Sequence, residues 1–401
     1  MLGLLDDVRV LELTNALSGA FCAKLLADQG AETLKVEPPG RGDTARYAPP
    51  FLGDAPHPEH SSLFLAFNTN KRGITLDVHT PTGRELFLRL VAERDVLVET
   101  FTPGHLDELG LGYAVLRQVN PRLIVTSITP FGQTGPYRHY KGDDLIAQAM
   151  GGFLYTTGLA DRPPMGTVLE QMQVVTARNA VIATMAALLH QRTTGEGQHI
   201  DVSMLEAVVS TPPNFIHQYS FTGVIAGRGA GEQTVMDGRH LATSDGTVTL
   251  TTAGTGGNPM ETWAAFLDEP RLLDAKFSTG QGRAQHWQEL LDILQERLAH
   301  WRAHDFMRQA MDQRLVVGVV QTPEDVAGCP HLAERGSFMT LEHPEVGTLL
   351  YPGAGFLIDG ANPVAGGRAA PRLGEHNTEV YCGELGLSVA ALATLCAAGV
   401  V

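Results

Sequence analysis

The chain has 401 residues, 43% of them hydrophobic and 18% charged, which is ordinary for a folded protein with room for two cores. Its 29 basic residues against 44 acidic ones give a net charge of −15, which argues against a general nucleic-acid or membrane-surface binder. No apolar run reads as a membrane span of roughly 20 residues. The start, Met1–Arg9, lacks a basic region and a cleavage site, so no secretory signal is expected. Four scattered cysteines (Cys22, Cys329, Cys382, Cys396) show no zinc spacing and suit a reducing cytoplasm.

Val8–Leu13 reads as a strand, Gly19–Gln29 as a helix stopped by Gly30, and Thr33–Glu37 as a second strand. The βαβ pattern repeats with Ile74–Val78, a helix from Pro81 to Ala92, and Val96–Glu99. A short helix near Tyr113–Val119 precedes a strand at Leu123–Ile128. Such alternation predicts an α/β fold with a mostly parallel, Rossmann-like sheet between helices. Met172–Leu189 is apolar on nearly every side and reads as a buried helix. One stripe of it, Gln173, Thr176, Ala180, Thr184 and Ala187, is small or polar and admits close approach. Gly195 and Gly197 end it, and Gly197–Ser203 reads as a strand.

Beyond Ser203 the pattern changes. Leu241–Thr243 and Thr247–Thr252 flank Ser244-Asp245-Gly246, a hairpin signal. Helices are expected near 260–267, 286–303 and 304–313, and a strand at Leu315–Gln321. The expected domains are a large α/β domain over 1–224, a smaller α+β domain over 225–325, and a return segment over 326–401 ending in a helix at Val389–Cys396.

Several stretches are candidates for chemistry. Asn68-Thr69-Asn70-Lys71-Arg72-Gly73 is a polar, basic turn that suits phosphates or, equally, a solvated surface. Arg41 and Phe101 follow the second and fourth strands, at the sheet end where open α/β sheets bind ligands. Phe101 is placed to cover a base or a pantetheine arm, or to pack on the core. Asp143-Asp144 precedes a helical run, a pattern typical of N-capping. Gly254, Gly256 and Gly257 lie in a glycine-rich loop that either closes over a site or ends a hairpin. There is no GxGxxG, Walker loop, GxSxG or metal-ligand spacing, so no metal is expected.

Together these segments resemble the class III CoA-transferases, the family that includes formyl-CoA, carnitine-CoA and benzylsuccinate CoA-transferases and the α-methylacyl-CoA racemases. The resemblance rests on Leu26–Glu32 with Lys35-Val36-Glu37, Asn68–Arg72, Phe131–Tyr137, Thr194–Ser203 and Pro371–His376, in one order along almost the whole chain. It implies an interlocked dimer and coenzyme A, as a thioester substrate, bound near Arg41, Lys71, Arg72, Phe101 and Tyr137. It further implies a loop at Gly254–Gly257 that shields a reactive intermediate, with an acyl-CoA and a small carboxylic acid as reactants.

In that family an aspartate attacks the donor thioester. Counting back from Thr194-Gly195-Glu196-Gly197 puts the aspartate position on Gln173, and an amide is no such nucleophile. The racemase pair of His and Asp aligns with Asp143-Asp144, so its histidine is missing. Three accounts follow. The chain is the non-nucleophilic subunit of a heteromeric enzyme; Tyr140–Gly152 with Asp161-Arg162-Pro163-Pro164 resembles the benzylsuccinate branch. Or Glu170, one helical turn before Gln173, is the nucleophile. Or the chain binds CoA thioesters without turnover. On this reading Lys71→Ala and Arg72→Ala weaken CoA binding.

Overall fold

The computed structural model describes residues 3–158, 161–211, 215–225, 227–228, 240–251, 259–364 and 367–401. They form two compact units, one of Met1–Tyr155, Met165–His217 and His331–Val401, the other of Thr156–Pro164 and Gln218–Pro330.

The first unit is built on six parallel strands: β1 (Arg9–Leu13), β2 (Glu32–Glu37), β3 (Lys71–Thr75), β4 (Val96–Glu99), β5 (Ile124–Thr129) and β6 (His199–Ser203). Their order is β3-β2-β1-β4-β5-β6, so the winding reverses between β1 and β4. The helices in chain order are α1 (Leu17–Asp28), α2 (Ser62–Phe67), α3 (Pro81–Ala92), α4 (His105–Glu108), α5 (Tyr113–Val119), α6 (Asp144–Met150), α7 (Phe153–Thr156), α8 (Gln171–Thr194) and α9 (Met204–Ser210). The strands read as continuous apolar runs because both faces are covered. On one face Leu11, Leu34, Leu97 and Val125 pack with Phe87 of α3, Leu116 of α5, Tyr381 and Val400. On the other, Val10, Val98 and Ile124 pack with Leu26 of α1 and Ala177, Ala180 and Leu188 of α8. Truncating a leucine in either layer costs about 2–5 kcal/mol.

Proline, cap and glycine signals set the element ends. Thr80 accepts a hydrogen bond from the Gly83 N–H ahead of Pro81, which fixes the start of α3. Gly195 ends α8 at φ 78°, a left-handed position. Gly197 then passes so close to β5 that a Cβ would sit 2.1 Å from the Leu123 carbonyl oxygen. β3 starts earlier than the expected Ile74: the polar turn is tighter, with Asn70 at φ 66°, and Lys71 and Arg72 already pair in register with Thr33 and Leu34.

α8 departs from the expectation of all-round burial. Its small stripe is buried from Thr176 to Ala187, with Gln173 half-buried, and Thr184 Oγ1 meets Thr126 Oγ1 of β5 at 2.8 Å. Its opposite face is open, with Ile182 69% and Leu189 68% exposed. With 24 residues and an 18-residue stretch of mean hydropathy 1.4, α8 is long and apolar enough to cross a membrane by length and composition, contrary to the expectation that no such stretch exists. Its inner face instead lies on α1 and β5.

Residues 331–401 return to the first unit. Tyr381 Oη donates to the Thr75 carbonyl at 2.7 Å, and the Val400 carbonyl accepts from Asp77 N at 2.8 Å. The same segment carries an antiparallel hairpin, β10 (Phe338–His343) and β11 (Gly347–Pro352), which the sequence reading leaves undivided among its turns. The second unit holds a three-stranded antiparallel sheet of β7 (Leu241–Ala242), β8 (Thr247–Leu250) and β9 (Val317–Val319). Helices at Pro259–Leu267, Trp287–Leu298 and Ala303–Asp312 close a core of Trp263, Phe277, Leu294 and Phe306. Asp245, in the turn between β7 and β8, accepts from Ala303 N at 2.8 Å and pins the last of these helices.

Candidate active site

The carboxyl ends of β1, β2 and β3 and the loop after β4 surround a cleft of about 380 Å³. Leu13, Asn15, Pro38, Arg41, His79 and Phe101 line it. This is the reversal point of the sheet, where neighbouring loops diverge and leave a crevice. Arg41 is exposed there, its loop held by Tyr47 Oη donating to the Arg41 carbonyl at 2.9 Å. Phe101 packs against the His105 ring, centroids 5.0 Å apart. Its N–H donates to Glu99 Oε2 at 2.7 Å.

Glu99 was not singled out by sequence, although a carboxylate closing the apolar run Val96-Leu97-Val98 is itself a signal. It is 3% exposed, and burial, reinforced by the Asp201 charge, pushes its carboxyl up to about 7 against the pull of Ser127 and the Phe101 N–H. Ser127 Oγ lies 2.9 Å from His199 Nε2, and the His199 ring stacks on Tyr113. Burial lowers the His199 pKa while Asp201 and Asp107 oppose the shift.

Two expected phosphate ligands are not at this cleft. Lys71 is fully buried, its Nζ 2.7 Å from Glu12 Oε2 and donating to the Ala20 carbonyl and to Asn68 Oδ1 at 2.7 Å each. An ammonium with three protons and three acceptors has none left for a ligand. Burial, with Lys35 beside it, lowers Lys71 to about 8 against the attraction of Glu12. Lys35 bridges Glu12 and Asp43 at 2.7 and 2.6 Å. Burial would depress it, but Asp43 and Glu12 hold it above its usual range.

Arg72 points to the amino end of the sheet, where it pairs with Glu32, Glu379 and Glu384. Arg94 joins Glu32 and Glu384 at 2.9 Å each. These residues bolt the return segment to the sheet. Tyr137 is 43% exposed and stacks on Tyr140 beside Phe131, away from the cleft lining. The loop carrying Gly254, Gly256 and Gly257 lies outside the described residues.

Gln173 lies in the first turn of α8, and its side chain is bonded at both ends. Oε1 accepts from Ser18 N at 3.2 Å, in the first turn of α1, and Nε2 donates to Glu170 Oε2 at 2.8 Å. The segment from the β1–α1 loop into α1 therefore touches the cleft through Asn15 and Gln173 through Ser18. Glu170 lies just outside the helix, yet its carboxylate reaches the Gln173 amide. Leu169 and Glu170 both adopt left-handed backbone, at φ 63° and 54°, a strained pair for non-glycine residues.

The acidic pair caps two different helices. Asp143 accepts from Ile146 N at 3.0 Å and starts α6. Buried Asp144 accepts from Met172 N and Gln173 N at 2.7 and 3.0 Å and so caps α8. Gln148 donates to Asp144 at 2.6 Å and accepts from Thr167 N at 2.9 Å, which ties the turn before α8 to α6.

Comparison with known proteins bears on this geometry. The chain matches CoA-transferase family III over residues 5–377. It is 35% identical to the succinyl-CoA–D-citramalate CoA-transferase of Chloroflexus aurantiacus, over 98% of this chain and 96% of that one. It is 32% identical to the human succinyl-CoA:glutarate CoA-transferase, over 99% and 90%. The crystal structure of a CaiB/BaiF family protein from Brucella suis superposes with a TM-score of 0.83 at 31% identity, covering 96% of this chain and all of that one. The overall fold is thus shared with a CaiB/BaiF family protein, and by its match over residues 5–377 this chain belongs to CoA-transferase family III.

Proposed function

We propose that the chain moves CoA from an acyl-CoA thioester to a carboxylic acid, with Glu170 as the group that accepts the acyl chain. The relatives' names pair succinyl-CoA with citramalate and with glutarate, two five-carbon dicarboxylates, so a donor of the succinyl-CoA kind and a short dicarboxylate acceptor are the substrate class. The observation that carries the assignment is the 2.8 Å bond from Gln173 Nε2 to Glu170 Oε2. It fixes one carboxylate oxygen and leaves Oε1 as the attacking atom.

The steps balance without a metal. Glu170 attacks the thioester carbonyl, giving a mixed anhydride and CoA thiolate. The thiolate attacks the glutamyl carbonyl and releases the donor carboxylate, leaving a glutamyl-CoA thioester. The acceptor carboxylate attacks that thioester, expels CoA thiolate and forms a second mixed anhydride; the thiolate then attacks the acceptor's acyl carbon, which gives the new acyl-CoA and frees Glu170. Arg41 and Phe101 are the residues proposed to hold the CoA moiety. Lys71, Arg72 and Tyr137 are no longer part of that set. The domain division read from the sequence, 1–224 and 326–401 around 225–325, stays part of the proposal.

A second reading rests on a different observation. Gln173 itself cannot form an anhydride, and the open face of α8 with Ile182, Met185 and Leu189 is a surface for another subunit. In that reading a homologous partner, interlocked with this chain, supplies the aspartate. Mass spectrometry after incubation with succinyl-CoA and trapping with hydroxylamine separates the two. Modification of the Glu170 peptide in the chain alone, absent in Glu170→Gln, is the expected result. Modification that appears only on a co-purifying homologue selects the heteromer, and CoA binding with no modification anywhere leaves a binding protein.

A further inference from the structure

Glu99 sits where the cleft wall meets the sheet. Its Oε2 takes the Phe101 N–H, and Phe101 is part of the lining. Behind it lies a second, smaller cavity of about 40 Å³, lined by Glu99, Gly104, Asp107, Ser127, Gln133 and His199 among others. A polar space of that size accommodates a water.

The surroundings of the carboxyl are lopsided. β1 offers Leu13 at the matching register position, and β5 offers the Ser127 hydroxyl. β6 offers His199 and Asp201, α4 carries Asp107, and α5 carries Tyr113. Among the described residues, the one charge acting on Glu99 is the like charge of Asp201. Glu99 and Ser127 are buried, while His199 and Asp201 are exposed, so the line Glu99–Ser127–His199 runs from the cleft wall to solvent.

Ser127 pairs in register with Glu99 across β4 and β5, so its hydroxyl is placed to complete such a line in either direction. With Glu99 ionised, Ser127 donates to it and His199 Nε2–H donates to Ser127. With Glu99 protonated, its O–H donates to Ser127, which donates to the bare His199 Nε2. We infer that Glu99 is a proton-linked positioning residue of the CoA cleft: an anionic CoA thioester seated beside Phe101 draws one proton onto the Glu99 carboxyl. The proton enters from water at His199, Ser127 hands its own to Glu99, and carboxylate becomes carboxylic acid. The cause is Coulombic, since phosphate charge in front adds to Asp201 behind and disfavours a second buried anion. The inference rests on the CoA reading above.

The sign follows from linkage. If the ligand raises the Glu99 pKa, affinity is flat while the free protein is already protonated and falls as pH climbs past its midpoint near 7. A one-unit rise on binding means about a sevenfold weaker CoA complex at pH 8.5 than at pH 6. His79 also stands on the cleft rim, 3.0 Å from Asp77, so the contrast between variants decides.

The test is calorimetric titration of the intact chain with free CoA, from pH 6 to 8.5, in two buffers of different ionisation enthalpy. Proton uptake near pH 7 is expected in the wild type and should be lost in Glu99→Gln. The CoA 3′-phosphate adds its own uptake equally to both proteins. Ser127→Ala removes a donor to the ionised form, so its midpoint moves up, which keeps the test alive if the Gln variant folds poorly. Equal uptake in all three proteins overturns the inference. No binding by any of them overturns the CoA reading instead.

Discussion

The two ends of the six-stranded sheet use their charges in opposite ways. At the amino end, Arg72 and Arg94 are locked to Glu32, Glu379 and Glu384. At the carboxyl end, Arg41 is exposed on the rim of a cleft and Glu99 is buried with no cation acting on it among the described residues. Between them Lys71, Lys35, Glu12 and Asp43 form a closed knot inside the unit. A cation next to a turn in the sequence is therefore no guide to whether its charge is available. What decides is the strand register, which puts Lys71 and Arg72 inside β3 and Arg41 beyond the end of β2.

The contrast breaks most visibly at Lys71. Lys71→Ala leaves Glu12 with a single cation and should cost about 3–5 kcal/mol in denaturant unfolding, while Lys71→Met, which keeps the volume, should cost less. CoA affinity of the folded fraction should be unchanged in both; weakened affinity would return Lys71 to the cleft. Next in size is Glu99. Its folded pKa of about 7 exceeds the usual 4.5, so the folded chain holds a proton that the unfolded one has lost. Stability should fall as pH rises from about 4.5 to 7 and then stay level. Glu99→Gln should remove this fall, a gain on the order of 3 kcal/mol at pH 8 and none at pH 4, readable in thermal melts across pH. The smallest effect belongs to Arg41→Ala, which should weaken CoA binding about fivefold and leave the melting temperature in place, since its exposed head supports no buried ion pair. A loss of stability without a loss of affinity would reverse the assignment of the two ends.

Most elements were legible because their periods are clean. Pro81–Ala92, Val96–Glu99 and Tyr113–Val119 fall where apolar spacing and Pro81 put them. The charge network was not, because its partners are far apart in sequence: Arg72 and Glu379 are separated by 307 residues. One clue was available. Glu12 and Lys35 stand inside apolar strands, and a parallel sheet buried on both faces tolerates such residues only as a pair; the register places them side by side. At the candidate site, the family resemblance pointed to Gln173 and the three-residue spacing pointed to Glu170 as its neighbour. The bond to Ser18 and the capping of α8 by Asp144 needed the third dimension, since nothing local in Asp143-Asp144 tells which helix each caps. The outward face of α8 misled for a related reason. Apolar residues all round say that a helix is covered, not whether its own chain covers it.

The long-range stitching of the first unit has a consequence for how the protein is made. Until Tyr381 and Val400 arrive, the sheet face carrying Leu11, Leu97 and Phe87 lacks part of its cover, and Arg72 lacks Glu379 and Glu384. A ribosome adding about 5–20 residues per second needs roughly 15–60 s to bridge that separation. For that interval the nascent chain carries an incomplete hydrophobic layer and two arginines that share Glu32 alone, which makes the half-built unit a natural client for a holdase.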